Sequence, residues 1–462
     1  MTIWLTLSCL LFYLFLASAI QYAPEVQIQS GRIRGVLEQL ATGDEVRKYL
    51  NITYADAVRF DKPAPPPSWK GVRDTIDFGK ACFHSPRSPP FGTALKDMSE
   101  QCLNLNVYVP HKSSRTPLPV MVWIHGGGFR SNSNRVSDGS YLATEGEVIV
   151  VVINYRLGVF GFLATGSGPS DFKGNYGLMD QVKSLEWVNR NIKGFGGDPN
   201  RVTIFGNSAG GASVSLLCLS PFAKGTSLFQ NAIMQSGVAN TPMAAYPYDK
   251  VANLTKKFIR DVNCTDFANF KSCLKSQPIE LIFNVSQTVS SPFVGVPVID
   301  GYFIPELSTA TTKVENGTER SAFVTLFTQS YPPIIVHAKA AVLPAFGEAM
   351  ILRYTDWTNI SNPFRNRRMH IDLLTDAIFI APSIAHANAY AKKGGRTYYY
   401  QVEYKVNLTS YFHVPSWLRA YHEAEKFMIF GYPLKVKESL YTEEANFSRT
   451  VIQMWTNFAK TG

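Results

Sequence analysis

The chain has 462 residues, room for about one to three domains and a sizeable buried core. With 45% hydrophobic, 17% charged and 13% aromatic residues, it is neither a disordered chain nor a fibrous repeat. The net charge is +10, yet the basic residues are scattered and form no run able to track a phosphate backbone, which argues against nucleic acid as a partner.

Residues 1–19, MTIWLTLSCLLFYLFLASA, form an apolar run ending in Ala17-Ser18-Ala19, the small-residue pattern of a signal-peptidase site. The alternative is an N-terminal membrane anchor, but the run is short for a span and meets a cleavage site at once. We expect a signal peptide at 1–19 and a single domain at 20–462. Export to the extracellular space or the ER lumen follows, with no membrane span beyond the signal. Sequons at Asn51, Asn253, Asn263, Asn284, Asn316, Asn359, Asn407 and Asn446 support that route. Discounting Cys9 in the signal leaves an odd number of cysteines for an oxidising compartment. Cys82 and Cys102 can close one loop, and Cys264 and Cys273 a shorter one. Cys218, inside the apolar ASVSLLCLSP, is expected as a buried thiol packing as a small hydrophobe.

From about residue 24, EVQIQSGRIRGVL, VRKYLNITYA and LNLNVYVP read as three opening strand runs broken by Pro and Gly. PVMVWIHGGGF, VIVVVINYRLGVFGF, RVTIFGNSAGG and NAIMQSG follow, apolar and β-branched, with helical or Gly-rich connections between them. That pattern predicts a mostly parallel α/β sheet flanked by helices. GNYGLMDQVKSLEWVNRNI has helical spacing and is expected to end at Gly196-Gly197. RTYYYQVEY reads as a late strand and EEANFSRTVIQMWTNFAK as a terminal helix. No internal repeat or linker divides the chain.

Gly206-Asn207-Ser208-Ala209-Gly210 is a G-x-S-x-G between the strand VTIF and a helix-compatible segment. Glycines flank a strained serine in such a turn, and the hydroxyl is lifted to the top of the sheet at a helix N-terminus. His125-Gly126-Gly127-Gly128 follows the strand VMVWI, upstream of the serine. Consecutive glycines let several N–H groups point into one small volume, as a developing oxyanion requires. His125 precedes those donors and is expected to shape the loop. The base follows the nucleophile in such sites, so His337, His370, His386, His413 and His422 are all candidates on the residues alone.

The chain resembles the type-B carboxylesterase and cholinesterase family of the α/β-hydrolase superfamily. The resemblance rests on Arg59-Phe60 with KPAPPPSWKGV, the SEQCLNLNVY block at 99–108, HGGGF, Asn154-Tyr155-Arg156, GNYGLMDQ at 174–181, FGGDPNRVTIFG and Val298-Ile299-Asp300-Gly301. It covers nearly all of the chain after residue 19. It implies an α/β-hydrolase fold and a serine esterase acting on a small-molecule ester, with no cofactor and no metal. It implies Ser208 as nucleophile, Gly127, Gly128 and Ala209 as oxyanion-hole donors, and His422 as base, in RAYHEAEKFMIFG with Glu425 three residues on. It also implies the disulfides Cys82–Cys102 and Cys264–Cys273 and the structural ion pairs Arg59–Glu100 and Arg156–Asp180.

Several departures stand against that pattern. The family's triad Glu should follow the V-I-D-G block by about thirty residues. That window reads AFVTLFTQSYPPIIV and holds no acid, with Ser330 near the expected place. Among Glu306, Glu315, Glu319 and Glu348, Glu319 is the first candidate substitute. The segment 319–346 is shorter than in the family, and the C-terminal part of the domain, beyond FAKTG, is expected to be incomplete. Asn207 stands where the family has Glu. The loop FHSPRSPPFGTALKDMSEQ lacks the Trp with which cholinesterases hold a quaternary ammonium, which argues against a choline ester. Two functions remain: a secreted or lumenal serine esterase, or a non-catalytic, cholinesterase-like binding or adhesion protein. The intact Ser208 favours the first.

Overall fold

The computed structural model describes residues 20–85, 93–112, 114–166, 172–223, 225–266, 269–288, 294–304, 321–327, 352–406, 418–439 and 442–462, the segment 321–327 as backbone alone. The signal segment 1–19, Glu306, Glu315, Glu319, Ser330, Glu348, His337, His413 and the sequons Asn316 and Asn407 lie outside the described residues.

Eleven strands form one sheet. In chain order they are β1 (Tyr22–Ile28), β2 (Gly31–Gln39), β3 (Glu45–Thr53), β4 (Val72–Asp74), β5 (Asn104–Pro110) and β6 (Leu118–Ile124). Then come β7 (Ile149–Ile153), β8 (Gly197–Asn207), β9 (Asn231–Gln235), β10 (Ser321–Phe327) and β11 (Thr397–Val402). The spatial order is β1-β2-β3-β5-β7-β6-β8-β9-β10-β11, with β4 beside β2. From β1 to β7 the neighbours are antiparallel, and from β7 to β11 parallel. The first predicted strand run is in fact a hairpin, because Gln29-Ser30 turn the chain between β1 and β2 and Ile28 pairs with Gly31.

Alternation along the central strands decides the core. Val120, Val122 and Ile124 of β6 face one side with Val151, Ile153 and Ile204; Met121 and Trp123 face the other with Val150, Val152 and Phe205. The first side is covered by the helix Tyr176–Asn191 through Leu178, Val182, Leu185 and Val188. The second is covered by the terminal helix Glu443–Thr461 through Val451, Ile452, Trp455 and Phe458. Both faces are therefore dry, which is why these strands are apolar throughout rather than alternating. The first helix stops at Asn191 and tightens into a 3-10 turn over Ile192–Phe195 before Gly196, at φ 86°, reverses the chain. Its α-helical part thus ends earlier than its spacing predicts.

Both disulfides form as the resemblance implies, Cys82–Cys102 and Cys264–Cys273, and Cys218 is buried outside them. Arg156 makes a two-pronged ion pair with Asp180, at 2.8 and 2.6 Å, with both side chains buried. Arg59 pairs with Glu100 in the same forked manner. Among the described residues no helix is long and apolar enough to cross a membrane.

Candidate active site

The parallel register sets Gly206 of β8 beside Ile124 of β6, so the elbow after β8 and the glycine loop after β6 leave the same edge of the sheet together. That is the carboxyl end of the parallel strands, where open α/β sheets bind ligands. Ser208 sits at φ 58°, ψ −122°, immediately before the helix Ala209–Leu219. Non-glycine residues held in such sparsely populated conformations cost about 1–3 kcal/mol, which the surroundings must over-determine. Here the surroundings are glycines. A Cβ on Gly210 would lie 2.0 Å from the Ile124 carbonyl oxygen, and one on Gly237 would lie 2.1 Å from that of Ser208. The Ser208 N–H donates to the Gln235 carbonyl at 2.7 Å, tying the turn to β9.

The glycine loop packs directly on this turn: a Cβ on Gly126 would lie 2.5 Å from the Asn207 carbonyl oxygen and 3.1 Å from Ser208 Cβ. Its carbonyls are held from behind. The Gly126 carbonyl lies 2.9 Å from His125 Nδ1, and the Gly127 carbonyl accepts from the Arg130 and Ser131 N–H groups and from Ser131 Oγ. In a trans peptide the following N–H points opposite its carbonyl, so these bonds turn the Gly127 and Gly128 N–H groups away from those anchors. Gly127, at φ 110°, can carry no side chain, since a Cβ would lie 2.1 Å from the Ser131 carbonyl oxygen. His125 is buried, stacks on Tyr155 at 4.5 Å and accepts that phenol on its carbonyl at 2.9 Å. These contacts are those of a residue that shapes a loop.

Of the candidate bases, His386 is buried on the helix Ala381–Lys392 beside Ser215 and Asn240, and burial holds its pKa down at about 4. It is neutral across ordinary pH. His370 lies on the helix Pro363–Thr375. His422 is half-buried in the turn before the helix Ala424–Ile429 and stacks on Phe379 at 5.0 Å.

That turn is fastened to the elbow. Glu425 Oε1 accepts from Asn207 Nδ2 at 2.6 Å and from Gln235 Nε2 at 3.0 Å, while Trp455 Nε1 donates to Gln235 Oε1 at 3.1 Å. One chain of hydrogen bonds thus joins the residue before Ser208, the residue three beyond His422 and the terminal helix. Burial raises the Glu425 pKa to about 7, the two amide donors partly offsetting it. Sequence reasoning noted Asn207 and Glu425 separately and missed their contact. The available signal was that a Glu-to-Asn departure beside the nucleophile requires a new acceptor. A cavity of about 330 Å³ lies near the Phe379 turn, lined by Arg353, Arg368, Arg419, Asp372, Asp376 and Glu403 among others, but neither Ser208 nor the glycine loop lines it.

A serine on a strained strand-to-helix turn, facing a glycine loop at the carboxyl edge of a parallel sheet, defines an α/β hydrolase. The chain belongs to the carboxylesterase family, whose profile matches residues 22–331 and 309–462. It is 34% identical to the acetylcholinesterase of Danio rerio, over 98% of this chain and 82% of that protein. It is 33% identical to the liver carboxylesterase of Sus scrofa, over 95% and 85% respectively. The zebrafish alignment runs over 533 positions where the chain has 462 residues, so at least 71 of them (533 − 462) face a gap. The family match comes in two stretches that overlap at 309–331, next to the acid-free window 322–336.

Proposed function

We propose that the chain is a serine carboxylesterase, exported through the secretory route after removal of residues 1–19. Ser208 Oγ attacks the carbonyl carbon of a small carboxylic ester as His422 takes its proton. The carbonyl oxygen becomes an oxyanion facing the N–H groups of Gly127, Gly128 and Ala209. Collapse breaks the bond to the alcohol, which leaves with the proton from His422. Water, deprotonated in turn by His422, then releases the acid and restores Ser208. The observation that carries this reading is the coincidence of the strained Ser208 turn, the glycine loop packed on it and the His422 turn fastened to it through Asn207 and Glu425.

Glycosylation at the sequons fits the same route, and the described ones, Asn51, Asn253, Asn263, Asn284, Asn359 and Asn446, all have exposed asparagines. The absence of Trp between Cys82 and Cys102 favours an uncharged ester over a choline ester. For the acid, Glu319 is the substitute named by sequence. The lack of any carboxylate in the window 322–336 supports the second reading, a cholinesterase-like binding protein. Hydrolysis of a chromogenic acetate or butyrate ester decides between them. The esterase reading expects turnover that is lost in both Ser208→Ala and His422→Ala. Equal background rates in all three proteins would overturn the esterase reading.

A further inference from the structure

We propose that Arg130 is a specificity residue, selecting esters that carry a carboxylate away from the scissile bond. This rests on the esterase reading and deepens it by giving the charge of the ester. Arg130 stands two residues beyond Gly128, in the loop that packs on the Ser208 turn. Its backbone is fixed on both sides: the Arg130 N–H donates to the Gly127 carbonyl at 3.1 Å, and its carbonyl accepts from the Ser85 N–H at 2.9 Å. Two residues of chain span at most about 7 Å, so the Arg130 Cα lies within that distance of Gly128, one of the proposed oxyanion donors.

The side chain is half-buried, and its surroundings are largely apolar. Phe83 comes from the loop closed by Cys82–Cys102, and Leu157, Val159 and Phe160 follow the carboxyl end of β7. Phe283 comes from the helix Ile279–Thr288. Among the described residues no carboxylate lines this space and none pairs with the guanidinium; burial alone draws the Arg130 pKa below its usual value. Arg59 and Arg156 behave otherwise. Their side chains are 20% and 4% exposed, and each is held by a forked carboxylate, Glu100 and Asp180.

A guanidinium drawn out of water with no anion beside it costs free energy. A bound carboxylate offsets that cost, because a charge-assisted, two-pronged contact strengthens as its surroundings dry. The space left beside Arg130, about 20 Å³, admits one water-sized group such as a carboxylate oxygen. The rest of the ester therefore stays outside these walls. The same positive charge repels a quaternary ammonium, so Arg130 and the missing Trp between Cys82 and Cys102 act in the same direction.

The test compares kcat/KM within two pairs of esters: p-nitrophenyl hemisuccinate against p-nitrophenyl butyrate, and m-carboxyphenyl acetate against phenyl acetate. The first pair places the carboxylate on the acyl side, the second on the alcohol side. At low salt the wild type should prefer the anionic ester of at least one pair by about 10- to 100-fold. That ratio should fall at least about 10-fold in Arg130→Met, and by less in Arg130→Lys, which keeps the charge and loses the fork. Arg130→Gln replaces Arg130→Met if the latter does not fold. Succinamate, which is no ester, is the probe that needs no turnover: its binding to the full chain, read by saturation-transfer NMR, should weaken at least about 10-fold in Arg130→Met. The proposal is overturned if both ester ratios are unchanged in Arg130→Met or, in a chain without turnover, if succinamate binding is unchanged. Succinamate binding that depends on Arg130 in a chain hydrolysing none of these esters would count against the esterase reading alone.

Discussion

The two sides of the proposed site, that of Ser208 as nucleophile and that of His422 as base, are built on different principles. The nucleophile side, where β6, β8 and β9 end, is fixed by close packing: Gly126, Gly206, Gly210 and Gly237 sit where any Cβ would enter a neighbouring backbone. The base side is fixed by a few polar contacts between elements far apart in the chain, Asn207 to Glu425, Gln235 to Glu425 and Trp455 to Gln235. Packing of backbone against backbone leaves almost no latitude, whereas a hydrogen-bonded clamp can be rebuilt with other residues. The comparison explains why G-x-S-x-G and HGGG are intact here while position 207 and the acid window have both departed from the family pattern.

That contrast can be broken from either side. The largest effect belongs to Ser208→Ala, which should lower kcat/KM for ester hydrolysis by about 10⁵- to 10⁶-fold while leaving the melting curve in place. Arg156→Met leaves Asp180 as an uncompensated buried charge under the nucleophile side, and urea unfolding should show a loss of about 3–5 kcal/mol. Gly127→Ala forces the loop off the Ser131 carbonyl and should cost about 10²- to 10³-fold in kcat, as expected when one oxyanion donor is misplaced.

On the base side, the Glu425 carboxyl has its pKa raised from 4.5 to about 7. Between those values the folded chain holds one proton more than the unfolded chain. Its contribution is therefore fully present below about pH 4.5 and is lost as pH rises through 7, a swing of roughly 3 kcal/mol. Denaturant titrations at several pH values should show that slope in wild type and lose it in Glu425→Gln. The smallest effect is at Thr442, whose Oγ1 accepts from the Ala445 N–H at 3.3 Å to cap the terminal helix. Thr442→Ala should cost about 1 kcal/mol and loosen the Trp455 anchor without altering the nucleophile.

The same contrast governs what could be read from sequence. Ser208, the glycine loop and the apolar strands are local patterns, because their geometry is dictated by residues a few positions apart. Cys82–Cys102, Arg59–Glu100 and Arg156–Asp180 became legible through family blocks rather than through spacing. The tightening of the first long helix into a 3-10 turn over Ile192–Phe195 was not legible, since its apolar period continues unbroken to Phe195. Nor was the separation of His422 from His386, which depends on burial against Ser215 and Asn240. The Asn207–Glu425 contact joins positions 218 residues apart, and no window of sequence contains both.

The proposed mechanism requires that Ser208 and His422 belong to one reacting site. Labelling the folded full chain with an organophosphonate, and locating the adduct by peptide mass spectrometry, tests it most directly. The expected adduct lies on the peptide carrying Ser208 and forms at least about 10³-fold more slowly in His422→Ala. A wild type that stays unlabelled at Ser208, or one labelled there at the same rate with and without His422, would contradict it.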